Sequence, residues 1–408
     1  MIEVLYISYD GLLEPLGSSQ IVPYLKGLSK KGIKYSILSY EKQADLSKND
    51  DVIKLEKELV SHGIKWKRLM YHKTPPVIST FFDVVYGCLI SFGLIKNNGI
   101  KIIHARSYVA GLIALLLKKV CKVRFIFDMR GFWADERVEG GIWKKKSLLY
   151  RTAKYFEKKF LCNSDNIISL THAGKAEIEN LPFLRNGTTD ITVIPTCVDL
   201  KKFNLEGGSG LIPFNEQNIN NKFVFIYIGS ISTWYMPHEM VDFFSVVQKH
   251  IEKVHFMVLT KEKILFEDIL KTKKFNSRTI SILNARHDLI SDYLSLGKAG
   301  VAFYKSGYSR KACCPTKFGE YLACGLPVII NSGIGDCDEI VINERVGVVI
   351  NDFSAREYER AIEELKGLLS EGDALRERCR ETAENYFSLE MGVERYWDIY
   401  KRLGKEIQ

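Results

Sequence analysis

The sequence predicts an α/β protein made of two successive domains, each a parallel sheet covered on both faces by helices. Three observations carry that expectation. Through the first half of the chain, apolar runs of strand length alternate with segments of helical period, as in a parallel sheet with helical crossovers. The alternation stops at Gly207-Gly208-Ser209-Gly210, a small-residue cluster that suits an interdomain linker. A second series of strands and helices then follows.

The first series opens with Met1-Ile2-Glu3-Val4-Leu5-Tyr6-Ile7-Ser8, an apolar run without the basic leader of a signal peptide, and so a buried strand. Further strands are expected at Lys34–Ser39, Ile102–His104, Arg124–Asp128, Asn166–Leu170 and Ile191–Ile194. Helices are expected at Gln20–Lys31, Val109–Lys119 and Ala173–Leu181, where apolar residues return every three or four positions. The second series places strands at Phe223–Ile228, His255–Leu259, Thr279–Leu283, Gly300–Phe303, Val328–Asn331 and Val346–Ile350. Its helices fall near Glu239–His250, Asp288–Ser295, Lys317–Ala323 and Ala355–Leu369. The chain ends on a helix near Leu389–Leu403 that carries Tyr396, Trp397 and Tyr400. These elements give domains over residues 1–205 and 206–388, and a terminal helical segment over 389–408.

A chain of 408 residues, 46% hydrophobic and 26% charged, has the length and composition of two ordinary globular domains. Its nine cysteines are scattered, without paired CxxC spacing, which predicts a reduced cytoplasmic protein with no zinc site. The net charge of +9 calls for anionic partners. Zinc fingers, RNP-type aromatic motifs and helix-turn-helix patterns are missing, so nucleic acid is not expected; phosphate-bearing substrates or an anionic membrane surface fit better. Residues 77–95 are long and apolar enough for a membrane span, yet Asp83, Gly87 and Gly93 interrupt them. We read them as a buried or acceptor-facing helix, with membrane contact as the alternative.

The most informative stretch is residues 315–330, from Pro315 to Ile330. A short helical patch stops at Gly325, and Pro327 opens a strand of β-branched residues, a strong stop signal. Lys317 and Glu320 thereby fall on a helix's first turn, beside the strand C-terminal edge where α/β proteins bind ligands. Glu320 can accept two hydrogen bonds from a ribose diol, and Lys317 can face a phosphate. The plainer reading is an αβ turn with a surface ion pair.

This segment resembles the donor-site signature of GT-B glycosyltransferases, in particular the retaining nucleotide-sugar transferases called family 4, and the resemblance runs along nearly the whole chain. It implies two Rossmann-like domains facing across a cleft (GT-B), with the C-terminal helix returning to pack on the N-terminal domain. It also implies transfer of a sugar from a nucleotide-sugar donor to a sugar or lipid-linked sugar acceptor, without cofactor or bound metal. In that family the glutamate at Glu320 holds the ribose and the lysine at Lys317 the phosphates, with Pro315 and Thr316 beside them. The first loop, Gly11 to Gln20, would lie over the donor, with Gly17 and Ser18 as contacts and Ser18 or Ser19 capping the following helix.

Charged groups recur at other expected strand ends. His104 and Arg106 follow one strand, and Asp128, Arg130 and Glu136 follow the next. With Lys317 these last three form the expected catalytic group, although many relatives have histidine where Asp128 falls, and Asp128 with Arg130 also reads as a structural ion pair. Gln20, His104, Arg106 and His172 are expected on the acceptor side. His172 heads a helix, whose N-terminus lowers the proton affinity of an imidazole.

Two departures from the family pattern stand out. Many relatives carry an arginine just after Gly229 and a lysine five residues on; this chain has Ser230 and Tyr235. Charge on the leaving diphosphate must then be met by Lys261, Arg310 and Lys317, with Ser230 donating hydrogen bonds. The first of the family's paired glutamates would fall on Ala312. Arg286 is placed near the base. Two basic, aromatic-rich stretches, from Lys65 and from Trp143, read as solvated faces or as a docking surface for a membrane bearing lipid-linked acceptors. The expected setting is bacterial cell-surface polysaccharide or glycolipid synthesis, cytoplasmic or peripheral on the inner face of the plasma membrane. A GT-B sugar-nucleotide epimerase and a non-catalytic nucleotide- or membrane-binding relative stay open as alternatives.

Overall fold

The computed structural model describes residues 2–184, 189–207, 219, 221–275 and 277–406. Two compact units emerge, one of Met1–Pro195 with Leu389–Gln408, the other of Thr196–Ser388. The chain changes unit at Pro195/Thr196, so a boundary at the Gly/Ser cluster comes ten residues late; Thr196 already donates from Oγ1 to the Cys314 carbonyl at 2.7 Å. Of that cluster, Gly208, Ser209 and Gly210 lie outside the described residues.

The first unit holds a seven-stranded sheet. Its strands are β1 (Ile2–Ser8), β2 (Ile33–Glu41), β3 (Lys65–Met70), β4 (Ile102–Arg106), β5 (Arg124–Asp128), β6 (Asn166–Ser169) and β7 (Asp190–Val193). They are ordered β3-β2-β1-β4-β5-β6-β7, every neighbour parallel. β3 lies in the basic stretch read above as a charged face. It pairs only with β2, and an edge strand tolerates lysines on its outer positions. Trp66 fixes it by donating from Nε1 to Ser39 Oγ at 2.7 Å, with the Arg68 guanidinium over the indole.

The second unit holds β8 (Phe223–Ile228), β9 (Val254–Leu259), β10 (Ile280–Leu283), β11 (Ala299–Ala302), β12 (Val328–Asn331) and β13 (Gly347–Ile350). Their order is β10-β9-β8-β11-β12-β13, again all parallel. In both units the central strands are built mostly of buried Val, Ile, Leu and Phe, as helices on both faces require.

The terminal helix Leu389–Lys405 packs on the helix Val22–Lys30 of the first unit, where Val393 sits so close to Gly27 that a Cβ there would lie 2.6 Å from Cγ2. The first helix also differs from expectation. It starts at Pro15 and breaks at Ile21, ahead of Pro23, so Ser18 and Ser19 lie inside it and do not cap it; their hydroxyls donate to the Pro15 carbonyl.

Candidate functional site

In each sheet the strand order reverses once, between β1 and β4 and between β8 and β11. A doubly wound sheet opens a crevice at the C-terminal side of such a reversal, because successive crossovers leave to opposite sides. The opening between β8 and β11 has a specific cause. Their ladder ends at Gly300↔Ile226, and the Tyr321 hydroxyl takes its place, accepting from Ile228 N–H at 3.0 Å and donating to the Val301 carbonyl at 3.3 Å. Gly300 makes room for that ring, since a Cβ would lie 2.4 Å from Tyr321 Cδ2.

Lys317 sits above this opening. It lies on the helix Thr316–Ala323, begun by Pro315 and ended by Gly325 at φ +74°. Its ammonium donates to Tyr227 Oη at 3.0 Å and lies 4.1 Å from the Tyr227 ring centre, 4.0 Å from that of Tyr235 and 5.7 Å from that of Tyr304. The loop after β8 is stapled over β11 by a Tyr235↔Tyr304 bridge, with Met236 N–H donating to Phe303 and Lys305 N–H to Trp234. Gly229, at φ +112°, leaves the backbone open to the lysine; a Cβ would stand 3.2 Å from Nζ. Ring faces attract a cation, but they replace water poorly. Burial pushes Lys317 down to about 7, against the raising pull of Glu320 and Cys313.

Glu320 is equally enclosed, and among the described residues its carboxyl feels the charges of Lys202 and Lys317 but no hydrogen bond. Burial lifts it to about 7, opposed by the charges of Lys202 and Lys317. The plainer reading, a surface ion pair, does not hold, because both groups are buried. Two oppositely charging groups near neutrality, one bare of hydrogen bonds, are poised for a ligand with a hydroxyl pair and an anion.

The other donor-side candidates divide. Arg310 is buried near this site, stacked on Trp234 at 5.0 Å and donating to Ser309 Oγ. Ser230 is exposed on the loop after β8, but its hydroxyl donates to Glu262 at 2.6 Å, and the same carboxylate accepts from Ile231 N–H. Burial disfavours that charge, and the hydrogen bonds from Ser230 and Ser232 outweigh it, holding Glu262 below its usual range. Ser230 thus has a competing anion beside it. Lys261 is exposed after β9. Arg286 is a surface residue, 79% exposed and paired with Asp288 at 2.7 Å, so its placement near the base is not supported.

In the first unit the loop after β1 folds back on itself. A Cβ on Gly17 would lie 2.1 Å from the Gly11 carbonyl oxygen, and the buried Glu41 carboxylate takes the N–H groups of Leu12 and Leu13. Gly17 is buried and Ser18 exposed on this loop. Gln20 is buried and lines a water-sized void of about 10 Å³ with Tyr6, Tyr24, His104 and Tyr396.

The charges at the ends of β4 and β5 turn inward. Asp128 has no exposed surface; its Oδ2 accepts from Tyr396 Oη at 3.1 Å and lies 3.8 Å from the Arg106 guanidinium, and Arg130 stands 3.8 Å from Oδ1. Burial opposes the charge, yet Arg130, His104 and Arg106 together hold the Asp128 carboxyl down to about 2. His104 meets Tyr400 Oη at 2.5 Å, and burial lowers the proton affinity of its ring against the pull of Asp128. As catalytic and acceptor contacts, Asp128 and His104 are therefore corrected to parts of a closed polar core, as is the 2%-exposed Arg106. Arg130 is half-buried in the left-handed region at φ +59°, a strained position at the sheet's ligand edge. Glu136 is half-buried on the helix Trp133–Glu139, and His172 is exposed at the start of the helix His172–Glu179.

Sequence reasoning missed Tyr227, Tyr304, Glu41, Glu262 and Lys202. Tyrosines at strand ends carry no spacing signal; the Gly-flanked loop after β8 was the available hint.

Comparison with known proteins follows from this geometry. Residues 24–202 match the family model described as Glycosyltransferase Family 4, and residues 211–386 match that of Glycosyl transferases group 1. No curated protein matches the chain. Among solved structures, a glycosyltransferase from Rickettsia africae superposes with a TM-score of 0.72 at 17% identity, covering 99% of each chain. HepE from Anabaena, in complex with UDP-glucose, gives 0.65 at 12% identity, covering 100% of this chain and 99% of the other. WaaG, a glycosyltransferase involved in lipopolysaccharide biosynthesis, gives 0.65 at 13%, covering 97% and 99%.

Proposed function

The chain belongs to the group 1, family 4 glycosyltransferases of GT-B fold, and from that premise we propose that its sugar donor is a nucleotide sugar bound on the second unit. One observation carries the reading: Lys317 and Glu320, one turn of helix apart, are both buried at the β8/β11 reversal, and Glu320 lacks a hydrogen-bond partner among the described residues. The Glu320 carboxylate takes the ribose diol. Lys317, with Arg310 from the loop ahead of its helix, meets the diphosphate and stabilises the charge that grows on it as the sugar leaves. These side chains supply the cationic charge, and no metal is invoked. The complex of HepE with UDP-glucose supports a donor of this class.

The acceptor, a sugar or a lipid-linked sugar, is assigned to the ligand edge of the first unit, near Arg130 and Glu136. Transfer retains the anomeric configuration, as the family resemblance implies. The setting is bacterial cell-surface polysaccharide or glycolipid synthesis in the cytoplasm, at the inner face of the plasma membrane.

The test is a thermal-shift screen of nucleoside diphosphates, followed by transfer assays with the matching sugars. A ligand that binds only the native state raises Tm by mass action. One ribonucleoside diphosphate should stabilise the protein, its 2′-deoxy analogue less, and Glu320→Gln should erase the difference while raising donor KM about tenfold, the cost of ~1.4 kcal/mol in lost hydrogen bonds to a charged group. Absence of any nucleotide response would end the proposal.

A further inference from the structure

The helix Pro76–Asn98 has two unlike faces, a small and polar one turned inward and an apolar one turned outward. Ser79, Asp83, Gly87, Ser91 and Ile95 recur every four residues and are buried where the helix packs on β1 and on the helix Ser107–Cys121. The opposite stripe, Ile78, Phe81, Phe82, Val85, Leu89 and Phe92, has the same helical period and is 41% to 70% exposed. A surface helix ordinarily puts polar residues there. A continuous apolar stripe of this kind marks a contact with another surface. Of the sequence reading of a buried or acceptor-facing helix, full burial is corrected: the inner stripe alone is covered.

Asp83 determines how the helix can meet lipid. At 23 residues and a mean hydropathy of 1.8 the helix is long and apolar enough to cross a bilayer. Asp83, however, accepts from Tyr9 Oη at 2.8 Å, from His72 N–H at 3.2 Å and lies 2.6 Å from His72 Nδ1. Its carbonyl accepts from Tyr40 Oη at 2.6 Å. Spanning would tear these bonds and carry a carboxylate into hydrocarbon. The helix is held flat on its sheet, with only its outer stripe available.

The surroundings supply the matching charge. The helix Ser107–Cys121 lies between Pro76–Asn98 and the helix Leu148–Asn163. Across these three helices the only carboxylates are Asp83 and Glu157, and both are buried. Lys96, Lys119, Arg151, Lys158 and Lys159 are exposed on them, Lys144, Lys145 and Lys146 lead into the third, and Leu116, Val120 and Leu148 add exposed apolar groups.

We propose that this helical layer docks on an anionic phospholipid bilayer, with Pro76–Asn98 lying in the plane of the interface, its outer stripe in the acyl boundary and the lysines against the headgroups. Tyr9 and His72, which grip Asp83, follow the C-terminal ends of β1 and β3. The docked helix therefore keeps the ligand edge of the first sheet at the lipid surface, which suits an acceptor carried on a lipid. The inference gives the membrane setting proposed above a physical surface, and its test reads lipid binding without relying on transfer.

Full-length protein is sedimented with vesicles of phosphatidylcholine alone and of phosphatidylcholine mixed with phosphatidylglycerol, at low and high salt. Binding to the mixed vesicles, weakened by salt, is expected. Phe81→Ser with Leu89→Ser should lower partitioning by about tenfold or more, given the apolar area withdrawn. Lys144→Glu, Lys145→Glu and Lys146→Glu together should lower it on the anionic vesicles. Both variants should keep the nucleoside-diphosphate thermal shift, which separates misfolding and failure of the donor reading from failure of docking. Wild-type protein that stays in the supernatant at low salt, or variants that partition as wild type does, would overturn the proposal. So would a wild-type dimer in light scattering that the Phe81/Leu89 variant makes monomeric, because a second copy would then cover the stripe.

Discussion

The ammonium of Lys317 lies 4.0 Å from the centre of the Tyr235 ring, on the loop after β8. An aromatic face, where the family resemblance leads one to expect a second cation, holds the first. With Tyr227 and Tyr304 the ring encloses a lysine whose charge is costly until an anion arrives. On the reading proposed above, an anionic donor arriving at this site should bring a proton with it.

That coupling has a sign. Lys317 titrates at about 7 in the folded protein and at 10.5 as a model group, so between those values the unfolded chain holds a proton that the folded one has released, and stability rises with pH. Glu320 titrates at about 7 against 4.5, so across pH 4.5 to 7 the folded chain holds the extra proton and stability falls as pH rises. The ligand-free protein should show a shallow Tm minimum near pH 7, each limb sloping by at most ~1.4 kcal/mol per pH unit. Lys317→Met should flatten the alkaline limb and Glu320→Gln the acid limb. Calorimetric titration with a nucleoside diphosphate at pH 8, in two buffers of different ionisation enthalpy, should register proton uptake in the wild type and none in Lys317→Met.

The cage itself is open to test. Tyr235→Phe keeps the ring face and should leave donor KM within about twofold. Tyr235→Leu removes a cation–π contact worth ~1 kcal/mol and should raise KM about fivefold. If the ring acts by holding the lysine, the pH at which KM changes should move with Tyr235→Leu. A KM profile that keeps its midpoint in that variant would show that the ring only packs.

Much of this was written locally. Alternating β-branched runs and helical periods announce both sheets, and the Gly325-Leu326-Pro327 stop places Lys317 and Glu320 on their helix. What escaped was set by pairing across distance. Tyr227, Tyr304 and Lys317 meet because β8 and β11 are neighbours, which nothing in their spacing reveals. Asp128 and His104 looked like rim residues because each stands at a strand end, yet Tyr396 and Tyr400 of the terminal helix close over them. The strand Lys65–Met70 was hidden by the lysines that an edge permits. Hydropathy marked residues 77–95 as apolar but is blind to which stripe a neighbouring helix covers.

Asp128 offers the sharpest separation between a structural and a catalytic carboxylate. Its charge neutralises Arg106 and Arg130, both within 3.8 Å, in a setting with no exposed surface on the carboxylate. Asp128→Asn keeps the shape, strands the Arg130 guanidinium and leaves Arg106 only Asp10 at 3.8 Å, which should cost about 3–5 kcal/mol of stability. Tyr396→Phe removes one hydrogen bond to the same oxygen and should cost only about 1.5–3 kcal/mol. The wild-type contribution should be complete above pH 3.8 and vanish as pH falls through about 2, since the folded carboxyl titrates there. If the group is structural, Asp128→Asn lowers Tm sharply, while the surviving folded fraction, assayed at low temperature, keeps kcat within a few-fold. A variant that melts with the wild type but has lost turnover would return Asp128 to the chemistry.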